Sequence, residues 1–486
     1  MNKSNQQKTP LFTALVDYAK SDVIPFDVPG HKRGHVSNKF NDALGKYSMK
    51  LDVNSSKKLD LLGNPHGVIL ESEKLLAEAY SADHAFMLVN GSTSGVQYMI
   101  MTACTSGSKI ILPRNVHKSA INGLILSGAL PVFIQPEVNE EWGIANGVSF
   151  QSIKRAILDN LDAKAIFLIN PTYFGAVSDL KSIIAFAHKH NMVVLVDEAH
   201  GSHFPFHPSF PHEAMILGAD MSTISMHKTG GSLTQSSVLL LNERTITRSQ
   251  VRSTISLFQT TSASYLLMAS IDVARQQLVT QGKPFFGKLL QLVSLIKDRI
   301  RNMPGLDVLS YENIDGIGIY DVDELKIVVR VNDLGLSGFE VYDMLCEEYH
   351  IQVELAETNV ILAVVSVGDD VNSLELLVNA LQDISSKYYG QKEKLLIKAV
   401  DVLVKPELLI SPKDAYYSQK KSISIDDAKG EICGESIMIY PPGIPLLIPG
   451  EKITQEIINY YKFLITQNSV TINDEENSNF IKVLGT

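Results

Sequence analysis

The stretch VVLVDEAHGSHF, residues 193–204, runs four apolar residues straight into Asp197, which is followed by Ala199, His200 and His203. A short β-rich run ending in a carboxylate reads as a buried central strand that delivers an acid to the carboxyl edge of a sheet, where open α/β sheets place their chemistry. Two neighbouring stretches share this layout. AIFLI at 165–169 leads into NPTYFGAVSDL at 170–180, and STISMHKTGGSLTQSS at 222–237 carries Lys228.

Beyond this strand, further apolar runs recur at 85–89 (AFMLV), 110–112 (IIL), 131–134 (PVFI) and 237–241 (SVLLL), separated by stretches long enough for crossover helices. That alternation predicts a mainly parallel sheet covered on both faces. Residues 250–305 have helical composition. KIVVRV at 326–331, IQVEL at 351–355 and VILAVVSV at 360–367, with helices near 338–348 and 370–385, then predict a smaller α/β unit. A charged connection precedes a last segment holding SPKDAYYSQK and YPPGIPLLIPGE at 440–451. Proline fixes φ and removes an amide donor, so YPPGIPLLIPGE reads as a shaped loop rather than a regular strand. The expected divisions are 1–75, 76–304, 305–394 and 395–486.

The 486 residues are 45% hydrophobic and 20% charged, and 53 acidic side chains against 43 Lys and Arg give a formal net charge of −10. That balance argues against nucleic acid as the main partner and leaves room for a local phosphate pocket. The amino-terminal residues lack a secretory pattern and no run of about 20 apolar residues appears, so the protein reads as cytoplasmic, without a membrane partner. Cys104, Cys346 and Cys433 are too far apart in sequence to suggest a disulfide framework or a metal site.

NGSTSG at 90–95 follows a predicted strand and opens a predicted helix, so Ser92, Thr93 and Ser94 and the backbone amides there suit a phosphate. An ordinary strand-to-helix turn has the same look. No GxxxxGK[ST] is present, which weakens a helicase reading of DEAH at 197–200. Asp197 suits a protonated ring nitrogen or a structural salt bridge, and His117 suits an aromatic cofactor face or a plain loop. His200 and His203 suit the mouth of a pocket. Lys228 offers an amine that can join a carbonyl cofactor as a Schiff base, with Ser225, His227 and Thr229 beside it.

The order of hydroxyl turn, imidazole, strand-end Asp and strand-end Lys resembles the fold-type I pyridoxal-phosphate enzymes. PFDVPGHKRG at 25–34, PRNVHKS at 113–119, TTSASY at 260–265 and the YPPGIP stretch narrow the resemblance to the Orn/Lys/Arg decarboxylase family, especially its shorter bacterial arginine decarboxylases. The resemblance implies a pyridoxal-phosphate-binding α/β large domain with a mainly parallel central sheet at 76–304, a small α/β domain at 305–394 and the family's C-terminal domain at 395–486. Residues 1–75 would form an amino-terminal arm and dimer contact, without the additional wing domain of longer members.

By the same resemblance, Lys228 would carry pyridoxal 5'-phosphate, Asp197 would keep its pyridine nitrogen protonated, His117 would stack on the ring and Ala199 would pack on the other face. Ser92, Thr93, Ser94, Ser225 and His227 would surround the phosphate, with His200 at the phenolic edge. Thr261 and Ser262 would reach a partner subunit's phosphate in a homodimer with composite sites. Lys228, Asp197, His117 and His227 are the expected catalytic groups, and His227 and Lys228 the candidates for returning the α-carbon proton. Glu431, Glu435 and Glu451, flanking YPPGIP, would read a basic head group. The implied reaction is decarboxylation of L-arginine to agmatine, with L-lysine and L-ornithine as alternatives. Another pyridoxal-phosphate chemistry, or a noncatalytic scaffold, remains open at this stage. One departure stands out: where family members often have Asp-Leu-His-x-Pro-x-Gly, this chain has Leu61-Leu62-Gly63-Asn64-Pro65-His66-Gly67, losing an acid and an imidazole.

Overall fold

Strand-forming runs and amphipathic helices alternate through the first half of the chain. The computed structural model describes residues 3–394, 406–440, 444–466, 470–475 and 477–485. Helices α1 (Pro10–Lys20) and α2 (Val68–Ala79) precede β1 (His84–Leu88) and α3 (Gly91–Ala103). There follow β2 (Lys109–Pro113), α4 (Lys118–Ser127), β3 (Leu130–Ile134), α5 (Phe150–Asp159), β4 (Ala165–Ile169), α6 (Leu180–Lys189) and β5 (Val193–Asp197). Next come β6 (Met221–Ile224), the one-turn helix α7 (Met226–Thr229), β7 (Ser237–Leu241), α8 (Arg248–Phe258) and α9 (Tyr265–Arg301).

The chain divides into two compact units, Met1–Thr102 with Leu195–Gly287, and Ala103–Val194 with Lys288–Thr486. In the first, β6 runs parallel to β5, with Val196 opposite Ser222, while β7 lies antiparallel to both β6 and β1. In the second, β2 pairs in parallel with β3 and β4. Every run expected as a strand here is one. The strand that apolar runs did not reveal is β6: Ser222 and Thr223 interrupt its pattern, although all four residues are buried. Their hydroxyls are satisfied inside, Ser222 Oγ donating to Glu198 Oε2 at 3.0 Å and Thr223 Oγ1 to the Val238 carbonyl at 3.2 Å.

The second unit continues with β8 (Asp307–Val308), β9 (Lys326–Arg330), α10 (Gly338–Glu347), β10 (Leu355–Ala356), β11 (Val360–Val364) and α11 (Val371–Tyr388). Its four strands form an antiparallel sheet in the order β8-β9-β11-β10. IQVEL contributes only Leu355 to a strand, because Ile351 N still bonds back to the Leu345 carbonyl at the end of α10. The last elements are α12 (Pro412–Tyr417), β12 (Lys420–Ser424), β13 (Ile437–Tyr440), β14 (Ile444–Leu447), α13 (Gln455–Thr466), β15 (Val470–Ile472) and β16 (Phe480–Leu484).

The loop expected over YPPGIPLLIPGE is corrected at 444–447, where β14 pairs antiparallel with β13 and the register shifts beside Ile437. β14 lies at the edge of its three-stranded sheet, a position that tolerates the missing amide of Pro445. Residues 441–443 of that motif, and the expected boundary at 395, lie outside the described residues. Among the described residues no helix is long and apolar enough to cross a membrane.

In the first unit the amino-terminal segment is tied down by a buried ion pair. Arg275 and Asp272 on α9 are fully buried and meet at 2.9 Å. Arg275 Nη1 also donates to the backbone and side-chain carbonyls of Gln6 at 2.6 and 3.0 Å. Asp272 Oδ2 accepts from Leu11 N and Phe12 N, so a distant acid satisfies the first turn of α1 in place of its N-cap Thr9. Removing one partner leaves the other charge buried and unpaired. Arg275→Ala should therefore lower the unfolding free energy by about 3–5 kcal/mol. Chemical denaturation checks this, and a loss below about 1 kcal/mol would rule out a structural role for the pair.

Candidate active site

Lys228 lies in the single turn of α7, just past the end of β6, and Asp197 ends β5 beside it in parallel register. Lys228 Nζ is 2.8 Å from His200 Nε2. Asp197 is buried, its Oδ1 accepting from Ala199 N at 3.1 Å. Burial pushes its carboxyl above the usual range, and the charge of Lys228 and the Ala199 amide pull it part of the way back. Such an acid is stabilised as an anion by a further cation.

The turn before α3 forms the next part of the site. Ser225 Oγ, at the cap of α7, donates to Ser92 Oγ in the first turn of α3 at 2.8 Å. Ser94 Oγ donates to the Gly91 carbonyl, and half-buried Thr93 sits between these two. Gly91, at φ +68°, donates its N–H to the Gln235 carbonyl, joining this turn to the loop after Lys228. His227 Nδ1 bonds the Ser236 carbonyl at 2.9 Å in the same loop. Gly95 lets α3 close onto β6: a Cβ there would lie 2.2 Å from Thr223 Oγ1.

Behind Lys228, the hydroxyl of Thr229 meets Ser202 Oγ at 2.7 Å and His203 Nδ1 at 3.1 Å. His203 is fully buried among Phe204, Phe210 and Phe286, so it supports the floor of α7 and does not shape a pocket mouth as expected. Tyr80 Oη adds a bond to the Ser202 carbonyl at 2.8 Å.

The model for the Orn/Lys/Arg decarboxylase major domain matches residues 9–373. The chain belongs to the Orn/Lys/Arg decarboxylase family. The family's C-terminal domain model matches 394–470. Proteins named arginine decarboxylase from Bacillus anthracis and Bacillus subtilis are each 41% identical to it, covering 95% and 94% of this chain and 94% and 93% of their own lengths. The solved lysine decarboxylase of Francisella novicida has the same fold, with a TM-score of 0.85 over 99% of this chain and 82% of that one at 21% identity.

Like others of the Orn/Lys/Arg decarboxylase family, this chain is a fold-type I enzyme that uses pyridoxal phosphate, and its residues fit that cofactor. The buried Asp197 suits a cationic ring nitrogen, Lys228 supplies the amine, and Ser92, Ser225 and the start of the 13-residue α3 suit a phosphate. Ala199 is buried two residues after Asp197. Thr261 and Ser262 are exposed in the loop before α9. In the second unit, half-buried His117 caps α4, its Nδ1 accepting from Ser119 N at 3.2 Å.

The three acids offered for the substrate head group have other partners. Glu435 is buried and accepts from Asp474 N and Lys482 N, both at 2.5 Å. Glu451 pairs with Arg114 at 2.9 Å, and burial pushes its carboxyl up to about 7 against the pull of that guanidinium. Glu431 pairs with Lys421 at 3.3 Å nearer the surface.

Sequence reading named Thr229 and His203 separately but missed Ser202 and the bonds that join the three, whose only signal is adjacency to Lys228 and Asp197. It also missed Asp60, directly before the departing stretch. The Asp60 carboxylate accepts from Leu61, His66, Gly67 and Ile69 N–H groups at 2.7–3.2 Å. Partial burial raises this acid, and the converging amides bring it net below the usual range. The stretch thus keeps an acid, one position earlier, as the organiser of its turn.

Gly95→Ala should force α3 away from Thr223, costing about 1–3 kcal/mol. Thermal unfolding and pyridoxal-phosphate titration of the same sample check this. An unchanged midpoint with unchanged binding would show that α3 need not approach β6 so closely.

Proposed function

We propose that this chain decarboxylates L-arginine to agmatine and carbon dioxide, as a cytoplasmic homodimer with composite sites, in polyamine biosynthesis. The observation that carries the reading is the Lys228–His200–Asp197 set at the carboxyl ends of β5 and β6, in a chain 41% identical over nearly its whole length to proteins named arginine decarboxylase. Residues 76–304 hold the cofactor, 305–394 form the small domain and 395–486 the C-terminal domain.

Bound pyridoxal phosphate supplies the electron sink for the pair left on the α-carbon as carbon dioxide departs. Asp197, made anionic by a neighbouring cation, would keep the cofactor's ring nitrogen protonated. Ser92, Thr93, Ser94, Ser225 and the amides of α3 would hold the cofactor's phosphate, and His117 would be the imidazole that stacks on it. Lys228 Nζ and His200 Nε2, close enough to share a proton, set the amine's readiness to accept or release one. His227, anchored to the Ser236 carbonyl, is the second candidate for returning the α-carbon proton. The substrate's guanidinium requires a directional acid. Glu431 is the most accessible of the three carboxylates around the YPPGIP stretch.

Large apolar side chains on the amino-terminal arm support the dimer. Ile24, Phe26 and Phe40 are 77%, 94% and 64% exposed within one unit. Thr261 and Ser262 are also exposed, as a contact across subunits requires.

Carbon dioxide release should give a kcat/KM for L-arginine above those for L-lysine and L-ornithine. The opposite ranking would overturn the substrate, and no release from any of them would overturn the activity. Lys228→Ala should abolish turnover, and Asp197→Asn should lower kcat by on the order of 10²–10³-fold. Retention of full turnover by either variant would reject its role. Phe26→Asp should shift the sedimenting species from dimer towards monomer; an unchanged dimer would place the interface elsewhere.

A further inference from the structure

Glu451 was expected to read the substrate, yet its carboxylate is spent inside the protein. Oε2 accepts from Ile448 N at 2.9 Å and pairs with Arg114 Nη2 at 2.9 Å, and both side chains are more than nine-tenths buried. The guanidinium also donates to the Pro445 and Leu446 carbonyls at 3.0 and 3.2 Å and lies 5.2 Å from the centre of the Phe133 ring. Pro445, Leu446 and Glu451 thus close around one side chain from the large domain. The backbone of Glu451 is itself fixed, its carbonyl accepting from Cys433 N at 2.8 Å.

Arg114 follows β2 directly, and its own N–H bonds the Ile134 carbonyl at 2.8 Å, so its main chain stays with the sheet while its side chain belongs to the C-terminal domain. Three residues later comes His117, the N-cap of α4. The far end of α4 is held by the same domain: α12 packs along it, and a Cβ on the αL residue Gly128, which ends α4, would lie 3.0 Å from Lys413 Cδ. The segment that carries His117 is gripped on both sides by residues some 300 positions further along the chain.

We propose that Arg114 and Glu451 are positioning residues for His117, through which the C-terminal domain fixes the direction of the imidazole at the start of α4. This rests on the proposed stacking role of His117. The carboxylate and the guanidinium are both turned to protein partners. A guanidinium shared by two carbonyls and a carboxylate has one permitted direction, whereas a lysine ammonium would not satisfy all three with the same planar fork. Groups that orient a ligand without touching its target commonly change affinity by about 10–100-fold when removed.

The test is a double-mutant cycle on pyridoxal-phosphate affinity and on the visible circular dichroism of the bound cofactor, using the full-length chain. Glu451→Ala should weaken cofactor binding by about tenfold and alter the visible band. It should cost little more in a His117→Ala background, because the pair acts through that imidazole. Glu451→Gln, which keeps acceptors for Arg114 and Ile448 N, should recover most of the affinity. If Glu451→Ala does not fold, Arg114→Lys replaces it in the cycle with the same expectation.

Equal losses with and without His117 would overturn the proposal, leaving the pair a general structural clamp. A raised KM for arginine with normal cofactor affinity would also overturn it and return Glu451 to the substrate. Cofactor binding is read without arginine, so absence of carbon dioxide release by the wild type would fail the substrate reading while the cycle still decides the positioning role.

Discussion

Asp197 is taken out of water at the tip of a strand whose preceding residues are apolar, and its surroundings are arranged to compensate. A buried anion is costly unless cations and donors converge on it. Here the Ala199 amide is one such donor, and the amine of Lys228 contributes opposite charge from the end of the next strand. That demand fixes the parallel register of β5 and β6, because a slip of one residue would exchange the faces on which neighbouring side chains emerge. It also explains why β6 carries polar side chains in a dry sheet. Ser222 and Thr223 bond to Glu198 and the Val238 carbonyl, holding the strand that leads to Lys228.

Asp197 and the turn at 90–95 were legible because each follows an uninterrupted apolar run, and the end of such a run is where chemistry is exposed; Lys228 was legible from its residue type and its place after Asp197 in the order of motifs. β6 was not, since hydroxyls inside a strand look the same in sequence whether they meet water or a buried carboxylate. The acids near YPPGIP show the same limit. Charge and proximity to a motif say nothing about direction, and Glu435 turns to two backbone amides while Glu451 turns to Arg114. Pro445 pointed to a loop because the sequence does not say which strand lies at an edge. Asp60 escaped notice because its role comes from a positive φ and four converging N–H groups, neither of which has a residue pattern.

Acids of one chemical type therefore serve distinct ends. Asp60 and Asp272 terminate backbone segments, Glu198 secures a strand, and Asp197 alone stands at a strand end beside an amine. Burial raises Asp272, Glu198 and Asp197, so what separates them is the partner each faces rather than its depth.

The tether from Arg275 to Gln6 joins residues 269 positions apart. On a ribosome adding roughly 5–20 residues per second, the anchor for the amino-terminal segment emerges on the order of tens of seconds after that segment itself. Until then the first turn of α1 has no acid to cap it, and Leu11 and Leu15, fully enclosed in the finished protein, have no completed surface to cover them. The segment from Gln6 to Leu15 thus waits for residues made some 269 positions later before it gains its native environment, and its apolar side chains must be kept from aggregating in the interval.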